Sequence, residues 1–207
     1  MNRDFKRLAV RLRNRLSPTN SFRVDRRATF KSEANILRTK LHVKGVSEVV
    51  LGEGVRLRDA ELLVRGQNNL LAIQDGCNFR GRIELYGDGN TVTIGSNSSI
   101  CGALLAAHNG CRIDIGVNCL FSDDVELRTT DSHKIFDEKG EWLNVDGDIC
   151  IGNKVWLGRS VVVLKGVTIG AGSVIGTRSV VTQSLPGAVV AVGMPARVIR
   201  TGVDWRE

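Results

Sequence analysis

From residue 151 onward the apolar positions recur in sixes. Blocks open at Ile151, Leu157, Val163, Ile169, Ile175 and Val181, an aliphatic residue each time. Position two is glycine in four of the six blocks, at Gly152, Gly158, Gly170 and Gly176. A helix with a face recurring every ~3.6 residues cannot hold a strict period of six. A triangular coil can, because each block then makes one flat side and one corner. The aliphatic points inward and the small residue beside it lets the chain turn.

The N-terminal half keeps the same phase with a longer repeat. Gly45, Gly66, Gly87 and His108 stand 21 residues apart, and Asn69 and Asn90 share that spacing. In-phase hexads open at Ile73, Phe79 and Leu85, at Ile94 and Ile100, and at Ile115, Phe121 and Leu127. Each of these coils is a set of three hexads plus a short insertion at one corner. The pattern predicts an all-β, left-handed parallel β-helix over residues 30–186, about seven turns without a domain boundary. The phase breaks at 187–207, which is expected to cap the C-terminal end.

Composition agrees with many short strands and tight corners: 23 glycines, three prolines and 5% aromatics. Charge is concentrated at one end. Residues 1–27 hold nine Lys or Arg against Asp4 and Asp25, whereas the remainder balances. Nucleic-acid binding by the coil body is therefore not expected. Within 1–29, Phe5, Leu8, Ala9, Leu12 and Leu16 fall on one face of a helix that Pro18 ends. That basic amphipathic segment, residues 1–17, suits capping the first coil, packing on a neighbouring subunit, or weak adsorption to an anionic membrane surface. No apolar run is long enough to span a membrane and the N-terminus does not read as a secretion signal, so a cytoplasmic protein is expected. The five cysteines include no Cys-x-x-Cys pair. Neither a disulfide framework nor a metal site is signalled, and Cys77 and Cys119 fall at a repeat position that takes small packing residues.

Between Leu127 and Ile151 the hexads fail. Residues 129–150 are expected to leave the coil as a polar loop, and a long excursion from a regular solenoid is usually functional. Of three histidines, His42 lies in an early strand and His108 at a corner position. Only His133 has no place in the repeat, and it stands in the loop close to Asp131. An imidazole with its ordinary pKa of about 6.5 can serve as a neutral base near pH 7. Asp131 is a candidate to orient the ring.

Four stretches now carry a resemblance: Asp131-Ser132-His133, Ile149 to Gly158 with its Val-Trp-Leu-Gly, Lys165 to Gly170, and Gly193 to Arg200 with its Pro-Ala-Arg. Over roughly residues 45–200 the chain resembles the hexapeptide-repeat acetyltransferases, most of all the polysaccharide and capsule O-acetyltransferases. That resemblance implies a homotrimer with active sites between adjacent β-helices, acetyl-CoA as co-substrate, a saccharide acceptor and no metal. It implies that Trp156 walls the cleft. From the loop, Trp142 is a candidate to close the same cleft and Lys134 a candidate to meet an acidic sugar. The pantetheine arm would follow Gly158, Arg159, Gly176 and Thr177, and the nucleotide phosphate would meet Arg197 and Arg200. Where some sugar acetyltransferases carry a lysine, this chain has Gln183, so Lys165 or Arg178 would have to compensate. An antibiotic or nucleotide-sugar acetyltransferase of the same fold stays open at this level, as does a non-catalytic β-helix scaffold. A γ-class carbonic anhydrase needs three metal-binding histidines, and His42 lies several coils from the other two.

Overall fold

The computed structural model describes residues 17–206. The helix expected from Phe5 to Leu16 lies outside the described residues. Among the described residues there are twenty-one strands, most of them short, and all but the last wind into about eight turns of a left-handed parallel β-helix. The first face runs from Thr29–Ser32 through Leu70–Ile73 and Arg112–Ile115 to Ile149–Ile151 and Thr168–Ile169. The second carries Leu120–Phe121, Trp156–Leu157 and Val174–Ile175, and the third Val125–Arg128, Val162–Val163 and Val180–Val181. In the middle coils one long strand, such as Ser99–His108, bends across the second and third faces.

Stacking in register turns the sequence period into continuous interior columns. On the first face Leu51, Ile73, Ile94, Ile115, Ile151 and Ile169 lie one above another. On the second, Leu57, Phe79, Ile100, Phe121, Leu157, Ile175 and Ala191 do the same. All are buried. Each of the larger side chains contributes about 1.5–3 kcal/mol on leaving water, and each lies in register with its equivalents in the coils above and below. Corners close where no side chain fits: at Gly66, with φ +124°, a Cβ would come within 2.1 Å of the Gly87 carbonyl oxygen.

The coil is longer than its hexads. Ser21–Val24 already pairs with Lys40–Val43, ahead of the start expected at residue 30. Only Phe22 and Val24 carry its apolar face, and both are half-buried, too short a signature to read as a repeat. At the other end Val189–Gly193 still stacks parallel on Val174–Ile175, and the antiparallel strand Ala196–Thr201 then closes the stack. The expected cap therefore begins with one more coil strand. The loop is also shorter than 129–150, because Ile149 and Cys150 belong to a strand of the first face. His108 does not occupy the corner under Gly87. A register shift between Ile100 and Ala103 pairs it with Tyr86, and Asn109 takes the left-handed corner at φ +59°.

Cys77 and Cys119 are buried, their thiols donating to the carbonyls of Gly95 at 3.1 Å and Gly152 at 3.2 Å. Burial pushes both thiols above their ordinary pKa, which makes them packing groups rather than nucleophiles.

Candidate active site

The loop leaves the coil after Arg128, at the corner between the third and first faces, and returns at Ile149. Its neck is closed by the Gly147 amide donating to the Thr129 carbonyl at 3.0 Å. The returning limb is tied to the coil below, Asn109 Nδ2 donating to Asp146 at 2.8 Å and Arg112 pairing with Asp148 at 3.2 Å. Its outer part is a small hairpin in which the Leu143 amide donates to Ile135 at 2.8 Å and Asp137 to Glu141 at 3.0 Å. A tight turn follows, with Asp137 Oδ1 accepting from the amides of Lys139 and Glu141. The hairpin presents Ile135, Phe136, Leu143 and Val145, each more than half exposed.

His133 is exposed on the first limb of this loop. Among the described residues its imidazole receives no side-chain hydrogen bond. Asp131, expected to orient the ring, has its carboxylate committed elsewhere: Oδ2 accepts from Asn144 Nδ2 at 2.9 Å and from Lys165 Nζ. Those two donors hold the Asp131 carboxyl below the ordinary carboxylate range. Because the depressed pKa lies well under that of an imidazole, this anchor is lost only in strong acid and is intact wherever a histidine base works. Lys165, expected as a possible phosphate contact, has its ammonium mostly buried, bound to Asp131 and to the Asn144 carbonyl at 2.7 Å. These contacts anchor the loop to the coil. Lys134 stacks over Trp142, its Nζ 4.3 Å from the ring centroid, and the Trp142 indole donates to Asn144 Oδ1 at 2.9 Å.

Trp156 lies on the second face, 38% exposed. Its outward column continues through Val174 and Val190 to Arg200 on the closing strand. The C-terminal segment folds back beside it: Trp205 stands 6.0 Å from Trp156 between ring centroids and donates Nε1 to the Lys154 carbonyl at 2.8 Å. Lys154 also pairs with Asp204. Gly158, Arg159, Gly176, Thr177 and Arg178 cluster at the next corner, where the Arg178 amide donates to the Arg159 carbonyl at 2.8 Å. There is no room at Gly158 for a side chain, since a Cβ would meet the Thr177 nitrogen at 2.8 Å. Arg159, Arg178, Arg197 and Arg200 are exposed. Gln183 lies apart from this group, one coil above Lys165 at the loop's own corner.

The structure thus gathers two groups rather than one. The loop with His133 leaves from the corner opposite the face that carries Trp156. Sequence reading missed Asn144 and Trp205, which appear as ordinary polar and terminal residues until the loop and tail close on themselves. His108 is also informative: it stacks on Tyr86 at 5.1 Å and faces Glu84 at 3.8 Å, beyond hydrogen-bond reach. Burial lowers its pKa and favours the neutral ring.

A coil of hexads with one histidine-bearing loop defines the class of left-handed β-helix transferases. Residues 151–183 match the family described as bacterial transferase hexapeptide (six repeats). The crystal structure of the polySia-specific acetyltransferase NeuO superposes with a TM-score of 0.85 at 30% identity, over 92% of this chain and 90% of that one. The chain belongs to the hexapeptide-repeat acetyltransferase family. Among curated relatives, the polysialic acid O-acetyltransferase of Neisseria meningitidis is 34% identical over 62% of this chain and 60% of its own length. The galactoside O-acetyltransferase of Escherichia coli K12 is 46% identical over 42% of this chain and 43% of its own. The chain spans from about two fifths to three fifths of the length of the curated relatives it matches. Among the described residues no helix is long and apolar enough to cross a membrane.

Proposed function

We propose that this protein transfers the acetyl group of acetyl-CoA to a sugar hydroxyl in a bacterial surface polysaccharide or its precursor, with His133 as general base. The observation that carries this reading is the solvent-open His133 on the one loop that leaves the described coils, in a chain matching a polysaccharide acetyltransferase along most of its length. The imidazole takes the proton of the acceptor hydroxyl as its oxygen attacks the thioester carbonyl. The new C–O bond forms, the C–S bond breaks, and the proton passes to the departing thiolate, giving free CoA and an acetyl ester. Backbone N–H groups at a coil corner serve the transient oxyanion.

His133 and Trp156 lie on opposite sides of one triangular coil. A cleft using both is therefore assembled between copies, which supports a homotrimer in which the loop of one subunit reaches the second face of the next. The exposed apolar side chains of the hairpin give that contact a hydrophobic component. On the accepting face, Trp156, Val174 and Val190 form an apolar strip for the pantetheine arm and the cap arginines receive the nucleotide phosphates. The reaction is placed in the cytoplasm, where thiols stay reduced.

The test is acceptor-dependent release of CoA thiol from acetyl-CoA with a panel of capsular saccharides and simple sugars. Release with saccharides supports the reading; no measurable CoA binding sinks it. Within it, Arg200→Ala is expected to raise KM for acetyl-CoA about tenfold with little change in kcat, since one charge-assisted bond contributes about 1.5–3 kcal/mol before solvent screening. Acetyl-pantetheine, which lacks the nucleotide, should be used equally by both proteins. Equal KM values for acetyl-CoA in the two proteins would remove Arg200 from the phosphate site.

A further inference from the structure

The turn that presents His133 is one the chain does not adopt freely. Ser132 has φ +68°, and the His133 amide donates to the Asp131 carbonyl at 2.8 Å. A bond between residues two apart across a left-handed centre is a γ-turn of the rare, strained kind. Such a residue costs of order 1–3 kcal/mol and persists only where its surroundings impose it. The Ser132 amide finds Thr130 Oγ1 at 3.1 Å, which pins the entry to the turn.

The exit is held by a single side chain. Asn144 Nδ2 donates to the His133 carbonyl at 2.8 Å and to Asp131 Oδ2 at 2.9 Å. Its Oδ1 accepts from the Ile135 amide at 2.7 Å and from Trp142 Nε1 at 2.9 Å. A carboxamide has two donor hydrogens and two acceptor lone pairs, and here all four are used within the loop. Lys165, from the coil above, binds both Asp131 and the Asn144 carbonyl. The strained turn is thereby cross-linked to rigid coil through a network in which each member depends on the next.

We infer that Asn144 is a positioning residue for His133, holding its carbonyl, the Ile135 amide after it and the Asp131 carboxylate before it, and that Lys165 ties this arrangement to the coil. The inference rests on the reading of His133 as the base. Residues in the cap and coil supply no other tether to the His133 backbone among the described residues. A base on an otherwise exposed hairpin would sample many directions, and a misplacement of about 1 Å can cost on the order of a hundredfold in rate.

The experiment compares Asn144→Ala and Lys165→Met with wild type, each alone and combined with His133→Ala. Both single variants should lower kcat for acceptor-dependent thiol release about 30- to 100-fold, with KM for acetyl-CoA within twofold. In the His133→Ala background neither should cause further loss, because a residue acting through another is non-additive with it. A second readout does not need turnover. The chain has three histidines, so ¹³C-histidine spectra resolve His133, and its ring signal should shift and sharpen in Asn144→Ala while those of His42 and His108 stay put. An unmoved His133 signal, undiminished kcat, or a full additional loss in the His133→Ala background overturns the inference. Full activity in His133→Ala itself, with loss in Asn144→Ala, would instead overturn the base assignment on which it rests.

Discussion

His133→Ala is expected to lower acceptor-dependent thiol release at least a hundredfold, with KM for acetyl-CoA and thermal stability close to wild type. The size follows from the role. A positioned general base contributes about 10²–10⁴-fold in rate, and the thioester is already activated, so removing the proton is the main service the enzyme must add. The selectivity follows from the site. His133 is exposed on a loop outside the coil, so truncating it opens no cavity. The apolar strip and arginines proposed for acetyl-CoA belong to other corners and faces of the coil. His133→Gln, similar in size and without a usable base, should be as slow as the alanine variant. Steady-state kinetics at saturating acetyl-CoA, with CoA binding measured in parallel, checks both statements. Equal rates in wild type and variant would remove His133 from its role, whereas a shared loss of CoA binding would mean that the substitution had disturbed more than the base.

Much of this site was legible in one dimension because a β-helix writes its period into the chain. Every sixth residue must be aliphatic to fill the column, so a stretch that abandons the phase, as residues 129–148 do, announces that it leaves the fold. His133 stood out for the same reason: no repeat position demanded it. What stayed hidden were destinations of side chains. Asp131 lies two residues from His133 and reads as its partner, yet Lys165, contributed by the next coil, takes that carboxylate. The spacing that identifies coils does not reveal which corner a flexible ammonium reaches. Asn144 carried no signal because its partners are largely backbone groups that converge only when the hairpin closes. His108 was misplaced by a single residue because a local register shift is invisible to a count of 21.

Phe121→Ala is expected to cost about 3–5 kcal/mol of stability and to weaken one particular junction in the stack. Phe121 is fully buried between Ile100 below and Leu157 above in the interior column of the second face. Truncating it removes the buried ring and leaves a cavity that rigid flanking coils fill poorly, the combination that makes such substitutions expensive. A solenoid's stability is a sum of coil terms and nearest-neighbour interfaces, so the loss falls between the N-terminal coils and those bearing Trp156 and the cap. The chain reports this directly: all three tryptophans, Trp142, Trp156 and Trp205, follow Phe121. In urea the tryptophan fluorescence transition of the variant should come at lower denaturant than the far-ultraviolet circular dichroism transition, while in wild type the two come close together. Phe121→Leu, which keeps most of the volume, should lose about 1 kcal/mol and keep the transitions together. A loss below about 1 kcal/mol for the alanine variant would mean that the column is not packed as described. A large loss with coincident transitions would keep the packing and show instead that the coils unfold as a single cooperative unit.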